Sequence, residues 1–169
     1  MKKKVFAEFF FILFFSVLIF IFLLSYVFKP FRIEGKSMEP YFSEGDFVLV
    51  TRIFWEINKN EVVVVRHKKK DFAVKRVIAL EGDKIEFRNG EIFVNGENRG
   101  KIASGDFNVM LFENSSFIIE KNTVFLLGDN REISFDSRLW GSIPLKNIYG
   151  KVLFNPFSIF RKERLSKSD

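Results

Sequence analysis

From position 5 to position 28 the chain is almost wholly apolar, broken only by Glu8 near one end and by Ser16, Ser25 and Tyr26. At about 1.5 Å per residue such a run covers a hydrocarbon core of about 30 Å as a helix. The pattern therefore predicts a membrane-spanning helix over 5–28, preceded by a short tail at 1–4. A cleaved leader shares the Lys2-Lys3-Lys4 start. The run exceeds the usual apolar stretch of about 7 to 15 residues, however, and no small-x-small triplet closes it. A retained anchor fits better. Lys29-Pro30 then stops the helix, because proline lacks an amide proton and disfavours helical geometry in the residue before it.

Past the proline the periodicity changes from helical to alternating. Phe31, Ile33, Gly35 and Ser37 alternate with Arg32, Glu34 and Lys36, which predicts a strand whose apolar row ends on Ser37. Short β runs follow at 47–50, 62–65 and 73–78. Asn89-Gly90 and Asn95-Gly96 mark tight hairpins around 84–87 and 91–94, and further runs lie at 124–127 and 149–154. No long amphipathic helix pattern appears after the anchor. The fold class expected is mainly β: one N-terminal transmembrane helix and a small antiparallel β-domain over 29–169, with 84–122 a hairpin or loop insertion. Residues 98–122 carry the weakest pattern and read as a loop or β-ribbon.

Composition narrows the chemistry. The 169 residues suit one modest domain plus an anchor. Cysteine is absent, which removes disulfides, thiolate catalysis and thiolate metal sites. His67 is the only histidine, so no multi-histidine metal centre can form and neither a metal nor a cofactor is expected. Net charge is +6, half of it supplied by Lys2, Lys3 and Lys4. The clusters Lys68–Lys70 and Arg161, Lys162, Arg164 and Lys167 read as a solvated loop and tail, with membrane lipid a better partner than nucleic acid. Lys29, Arg32 and Lys36 match the positive charge of the first flank, so orientation rests on the amino terminus and Glu34, which favour a cytoplasmic start and an exported carboxyl domain.

Three segments stand out: Gly35-Lys36-Ser37-Met38-Glu39-Pro40, Val74-Lys75-Arg76-Val77-Ile78 with Gly82-Asp83, and Gly128-Asp129-Asn130-Arg131 running to Ser134, Asp136-Ser137-Arg138 and Trp140-Gly141. Singly, each has a plain reading as a turn or a solvent-facing lysine. In this order, behind a membrane anchor, they resemble the motifs of type I signal peptidases, over residues 30 to about 87 and 124 to about 152.

The resemblance implies a membrane-bound serine endopeptidase that removes signal peptides from exported preproteins, with its catalytic domain on the extracytoplasmic side of the cytoplasmic membrane. Ser37 would be the nucleophile, Lys75 the general base and Ser134 the group orienting the lysine amine, the Ser-Lys variant of triad logic. A lysine serves as base only when neutral, and the apolar neighbours Ala73, Val74, Val77 and Ile78 suit that requirement. The backbone amide of Ser37 would supply one oxyanion donor; where some members carry a second, hydroxyl donor this chain has Gly35. Arg76, Asp129, Asp136 and Arg138 match supporting ion-pair residues expected to hold the strands presenting Lys75 and Ser134. Phe31, Ile33, Met38, Phe42, Ala73 and Val74 match the positions that build substrate pockets for small side chains.

Two departures concern loops: Tyr41 replaces a small residue, and Ala79-Leu80-Glu81-Gly82-Asp83 replaces a Pro-containing turn. A Ser-His mechanism would need His67, which lies in a cationic tract that opposes an imidazolium. A non-catalytic tethered β-domain that binds exported chains or lipid is the alternative. A self-cleaving repressor is disfavoured, because the anchor stands where a DNA-binding domain would be.

Overall fold

The computed structural model describes residues 2–54, 56–67, 71–102 and 114–154. Helix α1 runs Lys2–Val27, and residues Glu8 to Tyr26 are all exposed. The Glu8–Val27 stretch is long and apolar enough to cross a membrane. The helix stops before the Lys29-Pro30 pair, because Phe28 already pairs with Thr51 of the first sheet.

The rest is antiparallel β. The strands are β1 (Phe28–Arg32), β2 (Phe47–Thr51), β3 (Val62–Arg66), β4 (Phe72–Leu80), β5 (Lys84–Arg88), β6 (Glu91–Val94), β7 (Glu97–Lys101), β8 (Ser116–Ile118), β9 (Thr123–Leu127), β10 (Ile143–Pro144) and β11 (Ile148–Phe154). A four-residue helix, α2 (Ser137–Trp140), follows β9. A seven-stranded sheet has the order β1-β2-β11-β3-β4-β9-β10, and a four-stranded sheet the order β7-β6-β5-β8. The second sheet therefore occupies the stretch expected to be an insertion. Residues 103–113 of that stretch, the Lys68–Lys70 cluster and the basic tail lie outside the described residues.

Alternation made most of these strands, and β3 shows why a continuous apolar run also qualifies. Val62, Val63, Val64 and Val65 are all buried. Val62 and Val64 pack with Ile33, Met38, Phe42, Val48, Val50 and Val74 on one face, while Val63 and Val65 pack with Val77, Val124, Leu126 and Ile148 on the other. A third cluster, including Phe87, Ile92, Ile119 and Phe125, joins the two sheets. The hairpin pairs behave as tight turns demand, with Asn89 and Gly90 at φ 53° and 71° and Asn95 and Gly96 at 53° and 85°.

The sequence expectation fails around Ser37. Strand β1 ends at Arg32, and Gly35 at φ 74° turns the chain out of extended geometry. Hydrogen bonds from Ile33 N to Asp46 O (2.7 Å) and from Gly45 N to Ile33 O (2.9 Å) close the segment 33–46 into a loop of its own. Ser37 opens a turn tied by Phe42 N to Met38 O at 2.9 Å. The nucleophile candidate therefore sits on a turn above the sheet and does not end a strand face.

Candidate active site

Lys75 lies in the middle of β4, opposite Val63 of β3, and is 3% exposed. Its Nζ donates to Ser37 Oγ at 2.7 Å, across a sequence separation that only the folded sheet can close. Burial pushes the lysine pKa from 10.5 down to about 8; Asp136 and Asp129 oppose that fall, and Arg138 adds to it. The ring of Trp140 lies 6.0 Å from Nζ and contributes to the amine's apolar surroundings.

The loop between β9 and α2 completes the neighbourhood. Asn130 N donates to the carbonyl of Ser37 at 3.0 Å, which fixes the Ser37 turn to that loop. Gly128 is indispensable on spatial grounds: a Cβ there would collide with the Oγ and Cβ of Ser134 and come within 2.5 Å of Ser37 O. Ser134 is 5% exposed, and its Oγ finds no hydrogen-bond partner among the described residues. The orienting bond to Lys75 that the resemblance implies is therefore not formed in this structure. Ser134 also sits in the loop and not on a strand, so it is positioned by the ion pairs around it, not by sheet register.

Those ion pairs are of two kinds. Asp136, fully buried, takes Arg138 Nε and Nη2 at 2.9 and 3.0 Å and Gly128 N at 3.0 Å. The same guanidinium reaches Ser134 O at 3.0 Å and Arg131 O at 2.8 Å. One buried pair thus also satisfies two carbonyls of the loop, in keeping with the cost of burying unpaired polar groups. Arg76 is half-buried and bidentate to Asp129, at 2.7 and 2.6 Å, with a third bond to Asn60 O at 2.7 Å. The Asp129 carboxylate holds the Arg76 pKa above its ordinary value. This pair joins β4, one residue beyond Lys75, to the same loop.

A cleft of about 530 Å³ opens at the Ser37–Lys75 pair and is lined by Phe31, Glu34, Asp71, Phe72, Ala73 and Val74 as well. Of the six residues matched to substrate pockets, Phe31, Ala73 and Val74 line it. Ile33, Met38 and Phe42 lie in the apolar cluster of the sheet, 2%, 1% and 3% exposed. They share that cluster with Val74 and Phe31 and shape the cleft from behind. Sequence reasoning missed Glu34, Asp71 and Phe72 as lining residues and Gly128 and Asn130 as positioning groups; the last two lay within a motif already singled out. Strand β9 pairs with β4 between Arg76 and Leu80, so among the described residues Phe72–Lys75 keeps one edge open toward the cleft. His67 stacks on Trp140 with ring centroids 4.2 Å apart. Among the described residues no group of three or more His, Cys, Asp or Glu side chains is arranged to hold a metal.

A buried amine at bonding distance from a hydroxyl, at the end of a cleft with an open strand edge, can perform base-assisted nucleophilic attack on an extended peptide. A family model described as signal peptidase, peptidase S26, matches residues 6–157. Signal peptidase IB of Staphylococcus aureus is 37% identical over 158 residues, covering 81% of this chain and 83% of the relative. Signal peptidase I of Bacillus caldolyticus is 33% identical over 152 residues, covering 80% and 84%. A crystal structure of a signal peptidase I from Enterococcus faecalis V583 matches 60% of this chain and 100% of its own at 20% identity, with a TM-score of 0.45.

Proposed function

The chain belongs to the signal peptidase family, peptidase S26, a family of serine peptidases that remove signal peptides, and from that premise we propose a mechanism in which Ser37 and Lys75 form the catalytic dyad. The observation that carries it is the 2.7 Å contact between Lys75 Nζ and Ser37 Oγ, made by an amine whose burial lowers its pKa to about 8. At pH 7 about a tenth of such amines are neutral, against roughly one in three thousand for an ordinary lysine. That fraction supplies the base.

In the reaction the signal-peptide end of a preprotein lies extended in the cleft, paired along the open edge of Phe72–Lys75 and facing Phe31 and Glu34. Phe31, Ala73 and Val74 bound its side-chain pockets, with Ile33, Met38 and Phe42 supporting them. Ser37 Oγ attacks the scissile carbonyl carbon as its proton passes to Lys75 Nζ, and the Ser37 amide donates to the developing oxyanion. The lysine ammonium then gives that proton to the leaving amine. Water repeats the sequence on the acyl-enzyme, with Lys75 again as base, and releases Ser37. Ser134 orients the amine once substrate draws the loop together, its free Oγ being the reserve for that bond.

Helix α1 spans the bilayer with residues 1–4 on the cytoplasmic side, and 29–169 form the catalytic part outside the cytoplasmic membrane. Only eight residues separate Phe28 from Ser37, which keeps the nucleophile close to the lipid surface where a signal peptide is still embedded. Purified in detergent, the protein should cut a preprotein at its signal-peptide junction. Ser37→Ala and Lys75→Ala should each remove that activity, and undiminished cleavage by either variant would refute the dyad.

A further inference from the structure

Tyr41 stands four residues beyond the nucleophile on the same turn, and it is 63% exposed. An exposed aromatic ring there needs a reason. Its edge rests on Phe42, with centroids 4.9 Å apart and planes at 85°. Phe42 is itself locked in the apolar cluster that holds Met38 and Val74. Over the Tyr41 ring lies the Arg76 guanidinium, 4.7 Å from the centroid. That guanidinium is already bidentate to Asp129 and bonded to Asn60 O.

We propose that Tyr41 is a positioning residue, coupling the turn that carries Ser37 to the strand that carries Lys75 through its contact with Arg76. The inference rests on the Ser37–Lys75 reading and adds a tie that this reading does not contain. Apart from the Lys75 contact itself and the packing of Met38 and Phe42 with Val74, Ser37 is held by the bond from Asn130 N to its carbonyl, which fixes the turn to the β9–α2 loop. Arg76 adjoins Lys75 on β4 and binds Asp129, next to Asn130. Tyr41 closes the triangle formed by turn, strand and loop. A planar guanidinium between a carboxylate and an aromatic face loses little freedom on binding both. A side chain without a π face cannot replace the ring in that role.

Attraction of this size at a partly exposed site corresponds to a change of about two- to fivefold in rate. The test uses the full-length enzyme in detergent, with kcat and KM measured on a preprotein carrying its signal peptide. Tyr41→Phe keeps the ring and should stay within about twofold of wild type. Tyr41→Leu should lower kcat by about two- to fivefold at unchanged KM, and the same change in an Arg76→Gln background should have no further effect.

A normal kcat for Tyr41→Leu overturns the proposal. So does a rise in KM alone, which would make Tyr41 a substrate contact, an equal loss in Tyr41→Phe, or a full effect in the Arg76→Gln background. A wild-type enzyme that cuts no preprotein removes the dyad reading first, before any variant is compared.

Discussion

Replacing Lys75 by methionine should stabilise the protein while abolishing its activity. The amine is 3% exposed, and burial lowers its pKa from 10.5 to about 8, so below pH 8 the folded state holds a buried ammonium ion. Each tenfold in a protonation equilibrium is worth about 1.4 kcal/mol, which sets the penalty at neutral pH near 3 kcal/mol. The sign follows from proton counting. Between about pH 8 and 10.5 the unfolded chain binds more protons at this site than the native one, so wild-type stability rises with pH across that window. Lys75→Met removes both the penalty and the slope, and its unbranched side chain follows nearly the same path between Val63 and Trp140. Thermal unfolding of both proteins in detergent at pH 7 should give a variant melting about 6 to 12 °C higher. The gap should close as pH approaches 10. A gap that stayed constant from pH 7 to pH 10 would refute a charged buried amine at Lys75, and with it the argument that burial creates the base.

Three further outcomes follow from the same geometry. The acid limb of kcat/KM against pH should have its midpoint near 8, rising as Lys75 loses its proton, and a midpoint near 10.5 would mean that the lysine is solvated during turnover. Gly128→Ala should lower kcat by about a hundredfold, because the added methyl meets Ser134 and the Ser37 carbonyl together, and displacement near 1 Å costs about that much; single-turnover cleavage at wild-type rate would show that the loop yields. Ser134→Ala should lower kcat by about tenfold, the worth of one oriented hydrogen bond, yet leave stability unchanged or up to about 1 kcal/mol higher, since its buried Oγ has no partner to lose among the described residues. Chemical denaturation alongside the rate measurement separates those two effects.

What could be read from the chain beforehand is what local periodicity controls. The anchor, the β runs and both hairpins follow from spacing and turn chemistry, and the observed strands 47–51, 62–66, 84–88 and 91–94 lie within a residue of the expected runs. Sheet order is another matter. Strand β11 inserts between β2 and β3, a pairing set by which apolar faces meet and not by any feature of 148–154 itself. The same limit hid β8, whose three residues pair with β5, and α2, whose four residues are capped by the Asp136 side chain accepting from Arg138 N.

The site divides along the same line, and the division explains its construction. Ser37, Lys75 and Ser134 were legible as motif residues, whereas Gly35, at φ 74°, breaks the alternation expected to run on to Ser37. Ile33, Met38 and Phe42 match pocket positions by family resemblance, yet each is sealed beneath the cleft in the cluster with Val48, Val50 and Val64. The core that takes up Met38 and Phe42 anchors both ends of the turn carrying Ser37. Lys75 is held by the sheet, Ser134 by the Asp136–Arg138 pair, and the turn and the loop come together at Gly128 and Ser37 O, where the contact tolerates no Cβ. A pair carried on separately supported parts has its 2.7 Å contact set by the fit between them. Substitutions at that junction should therefore cost more activity than stability, and substitutions within any one support the reverse.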